Sequence, residues 1–286
     1  MALNGEVGIW SRIHPTALSL FRRSLSYFPL SYSFSFDHPI SIRFCTRQPV
    51  RVFHMEVAGS DSDGSEFKNA DEMWRQHTGD DNKKTQWYRD GVSYWEGVEA
   101  SVDGVLGGYG HVNDADVKGS EAFIQTLFSE LFVDGGIGRH LVALDCGSGI
   151  GRVTKNLLIR YFNEEFTPDA GRYDVIWVQW CIGHLTDDDF VSFFKRAKIG
   201  LKHGGFFVLK ENIARSGFVL DKEDRSITRS DIYFKELFSR CGLHLYKSKE
   251  QRGLPKELFG VKMYALVTDM PKKRSKTQVN RPAIIK

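Results

Sequence analysis

Residues 140–155 read HLVALDCGSGIGRVTK, and this stretch decides the fold class. Its apolar run at 141–145 has the length of a buried strand, and a helix is predicted over about 150–162. Between them lie Gly147, Gly149 and Gly151, whose missing side chains allow positive φ angles and a close approach of backbone to a ligand. A strand, a glycine loop and a helix in this order are typical of a ligand-binding α/β domain.

The spacing of the glycines narrows the ligand class. A dinucleotide fingerprint needs a third small residue where this chain has Arg152. The GxGxG spacing, with Asp145 two residues ahead, fits a ligand that joins a nucleoside to an amino acid. Asp145 at the strand end can reach an ammonium, and the helix N-terminus and Arg152 can serve a carboxylate. The pattern therefore favours a methyltransferase over a nucleotide-binding alternative.

The downstream pattern predicts a mostly parallel sheet with an antiparallel closing hairpin. Further strands are predicted at 173–179, 205–212, 243–249 and 259–267. Helices are predicted at about 118–132, at about 230–241, and from Thr186 through Leu201 until Gly204 and Gly205 stop it. Residues 212–229 are predicted to form a loop.

Composition excludes several classes of protein. The 286 residues carry a formal net charge of +3, too small to indicate direct nucleic-acid binding. No apolar run reaches the about 18 residues that span a membrane. The four cysteines contain no CxxC pair, so neither a disulfide framework nor a metal site is predicted.

The chain divides into four segments. Residues 1–54 hold six Arg, no Lys and two acids, and resemble a plastid or mitochondrial transit peptide; the alternative is an upstream stretch before a start at Met55. Residues 55–85 are predicted to be a flexible polar lead-in, and 86–268 the catalytic domain. The basic tail at 269–286 is either frayed or a nuclear signal.

Four longer segments carry a resemblance to a known family. They are YWEGVEASVDGVLGGYGHV (94–112), ALDCGSGIGRVTKNLL (143–158), YDVIWVQWCIGHLTD (173–187) and KENIARSGFVLDKEDRSITRS (210–230). With them the chain resembles eukaryotic α-N-terminal protein methyltransferases over most of residues 88–268. The resemblance implies a class I, Rossmann-like fold, S-adenosylmethionine as cofactor, and a nuclear or cytoplasmic location. It also implies protein substrates that begin, once Met is removed, with a small residue followed by Pro-Lys.

The resemblance also implies site residues. Gly147, Arg152 and Gln179 match the family's cofactor contacts, to which the loop pattern adds Asp145 and Gly149. Positions that match those holding the substrate's N-terminal tripeptide are Trp95, Leu106, Gly107, Trp180, Asn212, Asp221, Asp224 and Ser226. Asp221 and Asp224 would take part in deprotonating the α-amine, with His184 a further candidate.

The chemical requirements of methyl transfer are consistent with the roles that the resemblance implies for these residues. Methyl transfer from a sulfonium is an in-line displacement, so the amine must be neutral and aligned. An α-amine has a pKa near about 8, and modest help from a base suffices. Structural alternatives stay open: Trp95 as a core aromatic, His184 as a capping residue, and Asp221 and Asp224 as parts of a solvated loop.

The chain is short after the glycine loop. Only 21 residues separate Gly151 from Tyr173, whereas a second and third strand with their helices would need roughly 45 more. The sequence therefore predicts a deletion between 163 and 172, without the acid that binds ribose hydroxyls. We expect weakened cofactor affinity in such a form, whether it arises by alternative splicing or by incorrect assembly of the sequence. The competing hypotheses are an impaired form that binds N-terminal peptides without transfer, and a small-molecule methyltransferase.

Overall fold

The structure, a computed structural model, describes residues 57–132, 141–156 and 170–271. Three predicted features lie outside these residues: the transit-peptide-like segment at 1–54, the predicted join as far as residue 169, and the basic run at 272–274. None of the helices within the described ranges is long and apolar enough to cross a membrane.

The described elements alternate along the chain. The strands are β1 Gly59–Asp61, β2 Glu66–Phe67, β3 Ala143–Cys146, β4 Tyr173–Gln179, β5 Leu201–Ile213, β6 Phe218–Asp221, β7 Ser226–Arg229, β8 His244–Glu250 and β9 Gly260–Val267. The α-helices are α1 Ala70–Thr78, α2 Asp81–Gly97, α3 Val102–Val105, α4 Asn113–Leu131, α5 Arg152–Asn156, α6 Asp187–Ala197 and α7 Asp231–Arg240.

The larger sheet confirms the predicted α/β architecture. Its order is β3-β4-β5-β9-β8, with β3, β4 and β5 parallel and β9 antiparallel to both β5 and β8. All seven residues of β4 are buried, which is expected for a parallel strand covered on both faces. Within the described ranges β3 is the outer strand of this sheet. Because β3, β4 and β5 are parallel, their carboxyl ends lie at the same edge.

Helices cover both faces of this sheet. On one face Phe123 and Leu127 of α4 pack in a core cluster with Trp177 and Val208. On the other face the ring of Phe194 in α6 lies 5.1 Å from that of Phe207. Because Phe207 and Val208 are neighbours on β5, their side chains point to opposite faces and join the two layers.

A second, four-stranded sheet corrects the loop predicted at 212–229. Its order is β2-β1-β6-β7, and β6 and β7 form an antiparallel hairpin in which Asp221 pairs with Ser226. The Asp221 side chain accepts hydrogen bonds from the backbone N–H groups of Glu223, at 2.8 Å, and Asp224, at 3.4 Å. Polar residues therefore close a hairpin here, and the prediction of a loop is wrong because the same residue types are typical of both.

The prediction of a flexible lead-in over 55–85 is wrong from Gly59 onward. Its polar residues cap two helices: Asn69 accepts from the N–H of Glu72, and Asp80 from that of Lys83, both at 2.8 Å. Met73 is fully buried on α1. Capping residues and loop residues are of the same types, which explains the error.

Two helix boundaries also differ from the prediction. Thr186 caps α6 as expected, but the helix ends at Ala197, and Leu201 already begins β5. Gly204 and Gly205 lie inside that strand, where its register against β4 shifts. Helix α4 begins at Asn113, five residues earlier than predicted, and this earlier start places Asp116 in a helix.

Candidate functional site

The glycine loop between β3 and α5 has the backbone that its sequence predicts. Gly147, Gly149 and Gly151 have φ angles of 72°, 54° and 76°. A Cβ on Gly147 would lie 2.7 Å from Cβ and Sγ of Cys181, whereas a Cβ on either other glycine would meet nothing within 4 Å. Gly147 thus allows the loop to pack on the segment after β4, and the other two leave backbone open to a ligand.

The strand-end carboxylate of Asp145 is turned toward the first turns of α5. The Thr154 hydroxyl donates to Asp145 Oδ2 at 2.5 Å. Burial raises the pKa of Asp145 to about 6, partly offset by this hydrogen bond and by the charge of Arg152. The two residues predicted to serve a ligand's ammonium and carboxylate are therefore electrostatic neighbours.

Arg152 and Gln179 meet at Asp116, a residue that the sequence analysis missed. Arg152 Nη1 lies 2.7 Å from Asp116 Oδ2, and Gln179 Nε2 lies 3.0 Å from the same oxygen. Lys210 Nζ lies 2.5 Å from the other oxygen, Oδ1. We call Asp116, Arg152, Gln179 and Lys210 the cofactor-side cluster, after the predicted role of Arg152 and Gln179. Its carboxylate is shared between two cations.

Trp180 follows β4 in a strained backbone conformation. Its φ is +51°, in the left-handed region that few large side chains adopt. The Trp180 N–H donates to the Lys210 carbonyl at 3.1 Å, and the Arg152 guanidinium carbon lies 5.3 Å from the centre of the Trp180 ring. Trp180 Nε1 is buried without a hydrogen-bond partner among the described residues. Strained backbone of this kind is typical of functional sites. Here this conformation places the Trp180 ring beside the cofactor-side cluster.

The structure brings together Trp95 of α2 and His184, which follows β4. Trp95 Nε1 lies 3.0 Å from His184 Nε2. An indole nitrogen only donates, so His184 Nε2 accepts and the ring proton is on Nδ1, which donates to the Arg225 carbonyl at 3.2 Å. Both ring nitrogens are therefore engaged, and this arrangement favours a positioning role for His184 over the predicted role as a proton acceptor.

Asp224 lies in the turn of the β6–β7 hairpin, beside His184. Ser226 donates to it, while Asp224 Oδ1 is buried without a hydrogen-bond partner in the described part of the chain. Burial raises the pKa of Asp224, against the lowering effect of the hydrogen bond from Ser226. We call Trp95, His184, Asp224 and Ser226 the peptide-side cluster, after the roles predicted for them from the sequence.

The α2 helix packs closely against this hairpin. A Cβ on Gly91 would lie 3.4 Å from the Asp224 carbonyl oxygen. Arg225 Nη2 lies 2.9 Å from Asp90 Oδ2. Burial raises the pKa of Tyr94, and the charges of Glu223, Asp224 and Asp221 add to this shift. The acidic turn therefore faces the aromatic end of α2.

Four predicted substrate residues occupy supporting positions. Asp221 is exposed and holds the hairpin turn, and Asn212 lies near the end of β5, paired with Val261. Leu106 ends α3, and Gly107 has a φ of +58° in the turn after it. Their contact with a substrate stays a prediction.

Two further buried polar residues were missed besides Asp116. Lys210 is fully buried on β5, and Glu211 Oε1 accepts from the N–H groups of Cys181, at 3.0 Å, and Ile182, at 3.2 Å. Burial raises the pKa of Glu211 to about 7. The sequence contains a sign that Lys210 and Glu211 belong to a site, because these two charged residues directly follow an apolar run of strand length.

A surface cavity of about 880 Å³ lies beside the cofactor-side cluster rather than at the glycine loop. Its lining includes Ala115, Gly119 and Gln251, and none of the predicted site residues. Gln251 also contacts Lys210, so the cavity borders the cluster from the side of the β8–β9 connection.

Comparison with known proteins yields matches that include both clusters. A family model described as AdoMet-dependent proline di-methyltransferase matches residues 83–165 and 163–267. The chain is 63% identical, over 276 residues, to alpha N-terminal protein methyltransferase 1 of Arabidopsis thaliana, and the alignment covers 81% of this chain and all of that protein. It is 36% identical, over 217 residues, to N-terminal Xaa-Pro-Lys N-methyltransferase 1-B of Xenopus laevis, with 64% and 96% covered.

A solved structure agrees with these matches. It is a SAM-dependent methyltransferase from Leishmania major, with a TM-score of 0.67 and 37% sequence identity. The superposition covers 74% of this chain and 97% of that one.

Proposed function

We propose, since this chain belongs to the family of AdoMet-dependent proline di-methyltransferases, that it methylates the α-amine of proteins that begin X-Pro-Lys once Met is removed. One observation carries the proposal: the buried, unpartnered Oδ1 of Asp224 beside His184 and Trp95. A buried acceptor without a donor is costly, and an incoming ammonium would supply that donor.

The residues around the glycine loop fit the amino-acid half of S-adenosylmethionine. Arg152 would hold the carboxylate and Asp145 the ammonium, while Gly149 and Gly151 leave room for the ligand. When bound, this cofactor supplies a methyl group on a sulfonium. Trp180 places an aromatic ring next to Arg152.

The peptide-side cluster would prepare the amine. Asp224 can accept the proton of the α-ammonium, because burial raises its pKa and makes it a better proton acceptor than an exposed carboxylate. His184, fixed between Trp95 and the Arg225 carbonyl, would hold the hairpin turn against α2. The rings of Trp95 and Trp180 suit an ammonium or a methylated amine through cation–π contact. The acidic turn also suits the Lys of an X-Pro-Lys substrate.

The rival hypotheses gain no support from the relatives. The curated relatives carry the name of a protein methyltransferase, which favours neither a peptide-binding form without transfer nor a small-molecule enzyme.

The deletion after the glycine loop stays a prediction. The length of the alignment with the Arabidopsis relative supports it. The 81% of the chain that is aligned amounts to about 232 of 286 residues, against 276 residues of alignment that include the whole Arabidopsis relative. About 44 positions of that relative thus have no counterpart here. Calorimetric titration of the 286-residue chain with S-adenosylmethionine would test the consequence, because micromolar affinity would contradict the expected weakening.

The proposed function is tested with a pair of synthetic peptides. One begins Ala-Pro-Lys with a free amine, and its partner is identical but acetylated at that amine. We expect methyl transfer, followed by mass spectrometry, to the first peptide alone. Equal labelling of both, or of neither, would contradict the proposal.

The role of Asp224 is tested by Asp224→Asn. This change removes the proton acceptor and keeps the shape, so we expect kcat/KM for the free peptide to fall by about 100-fold. Glu223→Gln is the matched control, because it removes an exposed acid from the same turn. A similar loss in both variants would show that the general charge of the turn matters and not Asp224 itself.

A further inference from the structure

We infer that Lys210 is a positioning residue, which together with Asp116 and Gln251 orients Arg152 and sets the charge that it offers to the carboxylate of S-adenosylmethionine. This inference rests on the proposed function.

The contacts of Lys210 show that its ammonium is a fixed part of the structure. Besides Asp116 Oδ1, the Nζ atom lies 3.0 Å from the Asp116 carbonyl oxygen, 2.8 Å from Ser120 Oγ and 2.8 Å from Gln251 Oε1. The Ser120 hydroxyl gives its own proton to the Asp116 carbonyl, so it accepts from Lys210. Every partner of Nζ is therefore an acceptor, as a protonated ammonium requires.

This arrangement divides one carboxylate between two cations. Asp116 is fully buried and contacts Lys210 through one oxygen and Arg152 through the other. In a buried site, a carboxylate that contacts a single cation would cancel most of that cation's charge. Lys210 takes part of the charge of Asp116, so Arg152 retains more positive potential for a ligand carboxylate.

Lys210 also contacts Trp180, the aromatic residue beside Arg152. Its backbone carbonyl accepts from the N–H of Trp180, and the Trp180 ring faces Arg152. One residue of β5 therefore fixes Arg152 from two directions, through Asp116 by its side chain and through Trp180 by its backbone.

Gln251 holds the outer end of this network against α4. A Cβ on Gly119 would lie 2.1 Å from Gln251 Oε1, so a larger residue there would displace the end of the Gln251 side chain from this position. Gln251 Nε2 donates to the Ala115 carbonyl at 2.8 Å while its Oε1 faces Lys210. The glycine in the middle of a helix, costly in itself, is explained by this close approach.

The test compares two ligands that differ in one group. Decarboxylated S-adenosylmethionine keeps the nucleoside, the sulfonium and the amine, and lacks only the carboxylate that Arg152 would hold. We expect Lys210→Met to weaken binding of S-adenosylmethionine by about tenfold in calorimetric titration and to change binding of the decarboxylated ligand less than about twofold. Lys202→Met is the matched control on the same strand, because Lys202 pairs with Asp174 at 2.6 Å outside the cluster.

Each of the other outcomes would contradict a specific claim. Equal losses for the two ligands, or no loss for either, would overturn this inference and leave the proposed function intact if the unmodified chain still methylates the free peptide. Failure of the unmodified chain to bind S-adenosylmethionine would overturn both. If Lys210→Met does not fold, as judged by circular dichroism, Gln251→Ala carries the same comparison with an expected loss of about threefold.

Discussion

The cofactor-side and peptide-side clusters satisfy their polar groups in opposite ways. On the cofactor side, Asp116 and Lys210 are fully buried, and each has several polar partners. On the peptide side, Asp224 is half-buried and leaves one oxygen without a hydrogen bond among the described residues. The first cluster is complete as a network within the fold, whereas the second contains an acceptor that a ligand could satisfy.

This difference separates stability from binding. Removing one partner from a buried ion network leaves an uncompensated charge inside the protein, which costs much stability. Replacing a carboxylate that already has one unsatisfied oxygen loses fewer hydrogen bonds and leaves no charge uncompensated. Mutations in the two clusters should therefore affect different measurements.

The largest expected effect is on stability. Asp116→Asn would leave Arg152 and Lys210 without their shared carboxylate, and we expect the free energy of unfolding to fall by about 3–5 kcal/mol in urea titration. Asp224→Asn, the corresponding change in the peptide-side cluster, should alter it by less than about 1 kcal/mol. Similar losses in the two variants would break the comparison.

A smaller effect is expected at the glycine loop. Gly147→Ala would force a left-handed alanine against Cys181, the residue that follows Trp180, and should lower the free energy of unfolding by about 2–4 kcal/mol. Gly149→Ala meets nothing within 4 Å and should lose only about 1–2 kcal/mol, from its backbone conformation. Equal losses would mean that Cys181 moves aside and that its close approach to Gly147 adds no strain.

The smallest expected effect concerns pH. Glu211 ties β5 to the segment that leads to His184, and its pKa rises from 4.5 to about 7 on folding because of burial. The folded chain therefore holds a proton that the unfolded chain has lost, so stability decreases as pH rises between these values. From pH 5 to pH 7 we expect a loss of about 2 kcal/mol, the integral of that difference.

Glu211→Gln isolates this contribution, since an amide oxygen can accept the same two backbone hydrogen bonds and does not ionise. Unfolding by urea at several pH values should show a flatter profile for this variant. An unchanged profile would assign the pH dependence to other groups, and Asp145→Asn would then be the next variant to measure.

The sequence predicted the parts of the fold that depend on local pattern. The strand at 173–179 and the start of α6 at Thr186 agree with the structure, because a fully apolar run and a capping residue act over a few neighbouring positions. The closing hairpin near 243–267 was also correct, since two strand patterns lie close together in sequence.

The same reasoning could not find contacts between distant positions. Asp116 meets Arg152 and Lys210 across 36 and 94 residues, and nothing in its own neighbourhood shows that its side chain is buried. His184 illustrates a second limit: its proximity to a helix start was visible, but the Trp95 indole that occupies its Nε2 lies 89 residues earlier. Long-range polar partners decide the chemistry of a buried group, and periodicity carries no information about them.

The short strand β1 limits how far the chain can be shortened from its amino terminus. Gly59 and Ser60 pair in parallel with Phe218 and Val219 of β6, directly beside the hairpin that carries Asp224. Removal of residues 1–54 would leave this pairing whole, and so would translation from Met55. A cut beyond Asp61 would strip one neighbour from β6 and loosen the turn that carries the acids. The pairing of β1 with β6 therefore places the limit for shortening several residues before α1.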